Sequence, residues 1–229
     1  MQTTPTIKRT LIPHRSSERL AELISKQIIP SYSSHSVLDV GCGDGEVSYH
    51  LPANCTYTGL DIVDACIYEQ SPDHPGIKYL QANEIEPFMV SNSPWDMILL
   101  LDVIEHTRGF TTLFERALQH ANKYVLVSLP NELFWADRLR MLKGHEHNAH
   151  SLDLLERPEG FKHQYIINIA KARDLLSDHA QRHGFRLHEE VLRPLKSKKN
   201  WQQPMLWALR QVCSDQAWSM GSVFVFEKA

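Results

Sequence analysis

Apolar runs of strand length alternate with segments of helical period along the first 130 residues. Ser36-Val37-Leu38-Asp39-Val40, Thr56-Tyr57-Thr58-Gly59-Leu60 and Ile77-Lys78-Tyr79-Leu80 read as three strands. Residues 95–101 and 124–129 add two more, the last stopped by Pro130. Ser16 or Ser17 can cap a helix to about Gln27, with Leu20, Ala21, Leu23, Ile24 and Ile28 on its apolar side. Phe110, Leu113, Phe114, Ala117, Leu118 and Ala121 mark a second helix. Continuously apolar strands separated by helices predict a parallel sheet covered on both faces, an α/β doubly wound architecture. The later half is less regular. Asn131 can cap a helix over about 133–143, closed by Gly144. Residues 145–165 are polar and rich in histidine and read as a mobile loop or lid. An amphipathic helix over 169–183, a strand over 185–192, a basic linker with a short helix near 205–212, and a strand over 222–226 complete the chain.

The expected organisation is one domain: an irregular arm and helix (1–30), a core (31–130), an insertion or lid (131–165), and a closing helix and hairpin (166–229) interrupted by 193–221. The length of 229 residues is enough to bury a core unaided. The net charge of −3 supplies no global positive field for nucleic acid or an anionic membrane. Cys42, Cys55, Cys66 and Cys213 form no C-x-x-C pair, so neither a thiolate metal site nor a disulfide scaffold is expected. Residues 1–10 lack an apolar signal core, and no run approaches the ~18 apolar residues of a membrane span; a cytoplasmic protein is expected.

Candidate chemistry begins where the first strand enters Gly41-Cys42-Gly43-Asp44-Gly45. Glycines here let backbone approach a ligand, and a helix after the loop would point free N–H groups at it. A nicotinamide dinucleotide loop has Gly-x-Gly-x-x-Gly. In this chain the third glycine comes one residue early and Glu46 takes its place, where a carboxylate repels a pyrophosphate. The loop suits a nucleotide ligand without phosphates. Asp61 ends the second strand, 20 residues after Gly41, where a carboxylate can accept both hydroxyls of a ribose.

These residues resemble the class I S-adenosylmethionine-dependent methyltransferases, of the small-molecule type (methyltransferase 11/23-like). The likeness rests on V-L-D-V-G-C-G-D-G (37–45), T-G-L-D-I (58–62) and W-D-M-I-L-L-L-D-V-I-E-H (95–106), in family order, and covers about 36–129. It implies a Rossmann-like seven-stranded sheet, mostly parallel, with an antiparallel last strand. S-adenosylmethionine would be the cofactor and S-adenosylhomocysteine its product. Asp39 and the Gly41-Cys42-Gly43 backbone would hold the methionine end, Asp61 the ribose, and Ile62 would pack on adenine. Asn83 would replace the family's usual acid at the adenine amine. Leu101, Asp102 and Val103 would line the methyl-donor pocket, Leu101 through its carbonyl. A looser likeness of 129–144 reaches relatives in methionine metabolism and cell-surface glycan pathways.

Asp102-Val103-Ile104-Glu105 is not the D-P-P-Y-like turn of nucleobase amino methylation, and no Pro-Cys nucleophile for cytosine occurs. A small-molecule acceptor is expected, methylated on oxygen, with nucleic acid disfavoured and the oligomeric state open. His106, just beyond the fourth strand, is the candidate base, the alternative being that it packs beside the cofactor and orients it. His145, His147, His150 and His163 fall within 19 residues, yet no cysteine joins them, so a polar lid is expected and no metal. Asp102 with Asn131-Glu132 only partly imitates the carboxylates of a metal-dependent catechol-type enzyme. Arg138, Arg140 and Lys143, and Arg193 with Lys196, Lys198 and Lys199, are expected on solvated surface. A protein or RNA methyltransferase, or a cofactor-binding protein without catalysis, are the alternatives.

Overall fold

The computed structural model describes residues 7–13, 19–63, 75–155, 157, 162–195, 204, 207, 208 and 213–229. Eight strands form one sheet: β1 (Lys8–Leu11), β2 (Ser36–Val40), β3 (Thr56–Ile62), β4 (Ile77–Leu80), β5 (Trp95–Leu101), β6 (Ala121–Pro130), β7 (Phe185–Pro194) and β8 (Ser219–Lys228). Their spatial order is β1-β7-β8-β6-β5-β2-β3-β4. Every neighbour pairs parallel except β8, which runs antiparallel to β6 and β7. The expected sheet is therefore present, with one strand more than expected.

The central strands alternate between two cores, as a period of two requires. Leu38, Val40, Ile98 and Leu100 face one side, where they pack under α2 (Ala82–Asn92), α3 (Phe110–His120) and α5 (Ile169–Arg182). Val37, Met97 and Leu99 face the other, under Leu23, Ile24 and Ile28 of α1 (Leu20–Leu23) and the π-helical turn Ile24–Ile28 that prolongs it. Phe114, Phe185, Phe224 and Phe226 are among the largest fully buried side chains and fill the first core. Helix α4 (Trp135–Leu142) and the short α6 (Asp215–Trp218) lie outside both clusters.

Three expectations change. The arm is not irregular throughout. Lys8–Leu11 extends the sheet edge because buried Glu189 and Glu190 of β7 offer carboxylates to Lys8 Nζ (2.9 Å) and Arg9 Nε (3.0 Å). Asn131 does not cap α4 directly. Its Oδ1 accepts from Leu133 N–H (3.2 Å) and its Nδ2 donates to Ser219 O (2.7 Å), so it fixes the turn before the helix. Arg193 is not solvated. Strand β7 runs on to Pro194, and the guanidinium is buried 3.9 Å from Asp102 Oδ1. Lys196, Lys198, Lys199, Trp201 and most of the expected helix over 205–212 lie outside the described residues.

The chain runs from β2 through β3 to β4 on one side, then crosses back to β5 on the other side of β2. The carboxyl ends of β2 and β5 thus flank a topological switch point, where open α/β sheets bind ligands.

Candidate active site

A crevice of about 980 Å³ opens at that switch point. Its lining includes Asp39, Gly41, Cys42, Asp61, Ile62, Leu101, Asp102, Val103 and His106. The loop at the end of β2 is curled tightly. Gly41 N–H and Cys42 N–H both donate to Leu60 O, at 2.7 and 3.1 Å. Gly41, Gly43 and Gly45 have φ of +77°, +57° and +75°. At Gly41 an added Cβ would stand 2.3 Å from Val103 Cγ2, and at Gly45 one would stand 2.5 Å from Ile77 Cδ1. Both glycines are therefore required by conformation and by space.

No regular helix follows this loop. Glu46–His50 is a five-residue 3-10 segment, capped by the extended Leu51 that precedes Pro52. Its amides are spent locally: Gly45 N–H on Cys42 O (2.9 Å), Glu46 N–H on Asp44 Oδ1 (3.3 Å) and Ser48 N–H on Gly45 O (2.9 Å). The expected helix N-terminus is therefore replaced by a short turn here. Arg19 instead clamps the mouth, pairing with Asp44 (2.9 Å) and Glu46 (2.7 Å).

Asp61 is fixed by two amides. Gly43 N–H donates to Oδ2 (2.6 Å) and Ile62 N–H to Oδ1 (2.7 Å). Burial raises its carboxyl above the ordinary value, and these two bonds oppose the shift. Each oxygen keeps acceptor capacity. Asp39 is 2% exposed; Tyr57 Oη donates to its Oδ2 (3.0 Å), and its Oδ1 has no partner among the described residues. Burial, opposed by the Tyr57 bond and reinforced by the charge of Asp61, raises Asp39 to about 7. Tyr79 Oη donates to Gly43 O (3.2 Å).

The wall after β5 is strained. Asp102 has φ of +52°, uncommon for a residue with a Cβ and a frequent mark of function. Ser128 Oγ holds its Oδ1 at 2.7 Å. Glu105 is fully buried with no partner for either carboxylate oxygen among the described residues. Burial, with the charge of Asp102 adding, raises its carboxyl well above the ordinary range. Its backbone oxygen accepts from Gln164 N–H (2.8 Å), which brings the histidine-rich segment against the crevice.

His106 lines the crevice with Nδ1 buried and unpartnered among the described residues. Its ring meets His163 edge-on at 4.5 Å. Burial and then the neighbouring imidazole lower its pKa to about 4. His106 is thus a neutral imidazole across the physiological range, able to accept a hydrogen bond. Imidazole NMR signals assigned with a His106→Gln variant are expected to show no titration of this ring between pH 8 and 5. An ordinary midpoint near 6.5 would contradict that environment.

Asn83 departs from expectation. It lies in the first turn of α2 with an exposed side chain and borders an adjoining depression that shares Ala82 and Glu86 with the crevice, whereas Ile85 faces the crevice. Helical phase accounts for this, because Gln81 and Glu84 form a capping box that sets where the first turn starts. Several lining or supporting residues went unread: Arg19, Tyr57, Tyr79, Ile85, Met89, Glu105 and Gln164. Only Tyr57 carried a usable signal, since period two puts it on the face of β3 that bears Gly59 and Asp61.

Two groups of side chains could hold a metal ion. Glu105, His106 and His163 form one, and Glu132, His147 and His150 the other, each with ligand atoms within 4.8 Å of one another. Asp102 joins neither group. No helix among the described residues is long and apolar enough to cross a membrane.

A family model described as a methyltransferase domain (Methyltransf_23) matches residues 12–190. No curated protein matches the sequence. Solved structures are similar in fold at low identity. The methyltransferase domain of bacterial CtHen1-C has a TM-score of 0.57 at 17% identity, covering 91% of this chain and 96% of its own. A SAM-dependent methyltransferase from Archaeoglobus fulgidus has a TM-score of 0.54 at 15% identity, covering 91% and 94%. The plantazolicin methyltransferase BamL, solved with a triazolic desmethylPZN analog and SAH, has 0.53 at 14% identity, covering 91% and 81%.

Proposed function

Because the chain belongs to the methyltransferase family, whose model spans residues 12–190, we propose that it transfers a methyl group from S-adenosylmethionine to an oxygen of a small molecule. S-adenosylmethionine is the cofactor, and when bound it supplies an electrophilic methyl on a sulfonium cation. The crevice suits this cation. Asp44, Glu46, Asp61, Glu86 and Asp102 line it against three arginines, Arg19, Arg108 and Arg116, and Asp39, raised to about 7, adds to the acidic side. That acidic lining is the observation that carries the small-molecule reading, since a polyanionic acceptor such as RNA needs the opposite sign.

The chain's own residues then divide the work. Asp61, held by two amides, presents both oxygens to the ribose hydroxyls. The unpartnered Asp39 Oδ1 receives a donor from the methionine end, and the Gly41–Gly43 backbone lets that end approach. Ile62 offers the adenine an apolar surface, joined by Ile85 and Met89. Leu101, Asp102 and Val103 bound the donor side, with the strained Asp102 backbone fixing where that wall turns. His106, kept neutral, accepts a hydrogen bond from the acceptor hydroxyl and aims its oxygen at the methyl. Alignment of this kind is worth up to about 10⁵–10⁸ M in effective molarity, so no strong base is required.

Incubation with methyl-labelled S-adenosylmethionine and separated pools of small molecules, RNA and protein tests the reading. Label is expected in the small-molecule pool, as a methyl ether by mass spectrometry. Label confined to RNA or protein would overturn it.

A further inference from the structure

We propose that Glu132, His147, His150 and His163 bind a transition metal of the zinc class, which ties the histidine-rich segment to the end of β6. The carboxylate of Glu132 is 2% exposed, and three imidazoles converge on one of its oxygens. His163 Nδ1 lies 2.6 Å from Oε1, His150 Nε2 3.0 Å and His147 Nδ1 3.8 Å. The second oxygen is taken by Ile167 N–H (2.6 Å), so the carboxylate cannot turn away.

Hydrogen bonding accounts for the two nearer imidazoles, His163 and His150, and leaves His147 Nδ1 3.8 Å from the same oxygen. One carboxylate oxygen has two lone pairs and here faces three ring nitrogens. His147 Nδ1 accepts from Ala149 N–H at 3.3 Å, so this nitrogen is unprotonated and bears the lone pair that a metal would take. A cation among Glu132, His147 and His150, whose ligand atoms lie within 4.8 Å of one another, gives all three a partner, with His163 Nδ1 beside the same carboxylate oxygen. In a tetrahedral zinc site with bonds of about 2.0–2.1 Å, ligand atoms stand roughly 3.3–3.4 Å apart, a value the three observed separations bracket. Three nitrogens and one oxygen suit zinc and its neighbours in the transition series. Magnesium and calcium take oxygen sets instead.

The ligands sit on supported elements. Glu132 follows β6 in the turn that Asn131 anchors on Ser219 O. His147 and His150 flank the 3-10 turn Asn148–His150, where residues three apart lie on one side, and their rings are 5.5 Å apart. His163 and Gln164 also line the crevice, so a metal here would order its acceptor side. The site is a matter of binding and stands apart from the identity of the acceptor.

The test uses the full chain, stripped with chelator, titrated with zinc and with magnesium by calorimetry, and assayed for metal after gel filtration. Wild type and His106→Ala are expected to bind one zinc per chain. The double variant His147→Ala/His150→Ala is expected to bind zinc at least about 100-fold more weakly, with its circular dichroism unchanged. Glu132→Gln is expected to lose zinc in the same way. Wild type with less than a tenth of a zinc per chain, or binding magnesium but no zinc, would overturn the proposal. So would a double variant that binds zinc like wild type.

Discussion

Gly41→Ala is expected to weaken S-adenosylmethionine binding by about tenfold or more and to lower the melting temperature. At φ of +77° an alanine pays roughly 1–2 kcal/mol for the left-handed conformation. Its Cβ would also stand 2.3 Å from Val103 Cγ2 and 3.1 Å from Cγ1. Val103 lines the crevice, so the clash is relieved only by moving a wall of the site or the loop itself. Gly144→Ala separates strain from position. Gly144 has φ of +82° with nothing within 4 Å of an added Cβ, and it lies after α4, away from the crevice lining. That variant is expected to lose about 1 kcal/mol of stability and to bind the cofactor as wild type does. Melting curves and calorimetry on both proteins check the pair. Unaltered binding by Gly41→Ala would mean that the loop does not contact the cofactor.

Asp61→Ala has a larger expected effect on binding, about 100-fold. It removes the acceptor for two ribose hydroxyls and strands Gly43 N–H and Ile62 N–H together. Hydrogen bonds to a charged group contribute about 1.5–3 kcal/mol each, and 1.4 kcal/mol is a factor of ten. Asp61→Asn is expected to be almost as damaging. Both carboxylate oxygens accept a backbone N–H, so an amide in either orientation sets its own donor against one of them. Equal affinity of the asparagine variant and wild type would show that the two-amide clamp has no part in binding.

The glycine loop and Asp61 were legible because local chemistry specifies them: only glycine meets φ of +77° against Val103, and a carboxylate at a strand end has a restricted set of uses. Strands such as Trp95–Leu101 were legible because both faces of a central parallel strand are buried, leaving an unbroken apolar run. Long-range pairing hid the rest. Strand β1 is polar and four residues long, and it pairs with β7 at Glu189 and Glu190, about 180 positions away. Helix α2 carries Pro87 in its interior, which masks it, while the Gln81/Glu84 capping box was the signal to weigh. Arg193 sits in a basic stretch that reads as surface until Asp102 and the β7–β8 hairpin enclose it. Glu132 is unremarkable in the sequence, and the histidines around it are 15 to 31 positions away, so their convergence needs the fold. The loop's short 3-10 continuation was hidden for a different reason: a strand entering a glycine-rich loop led to the expectation of a helix, which Pro52 cuts off.

The most direct test is calorimetric titration of the purified chain with S-adenosylmethionine and S-adenosylhomocysteine, beside NAD as the dinucleotide control. Binding of both sulfur ligands with micromolar affinity and one site per chain, with no heat from NAD, is the expected result. NAD binding in place of S-adenosylmethionine, or no binding of either sulfur ligand by folded protein, would contradict the account of the crevice.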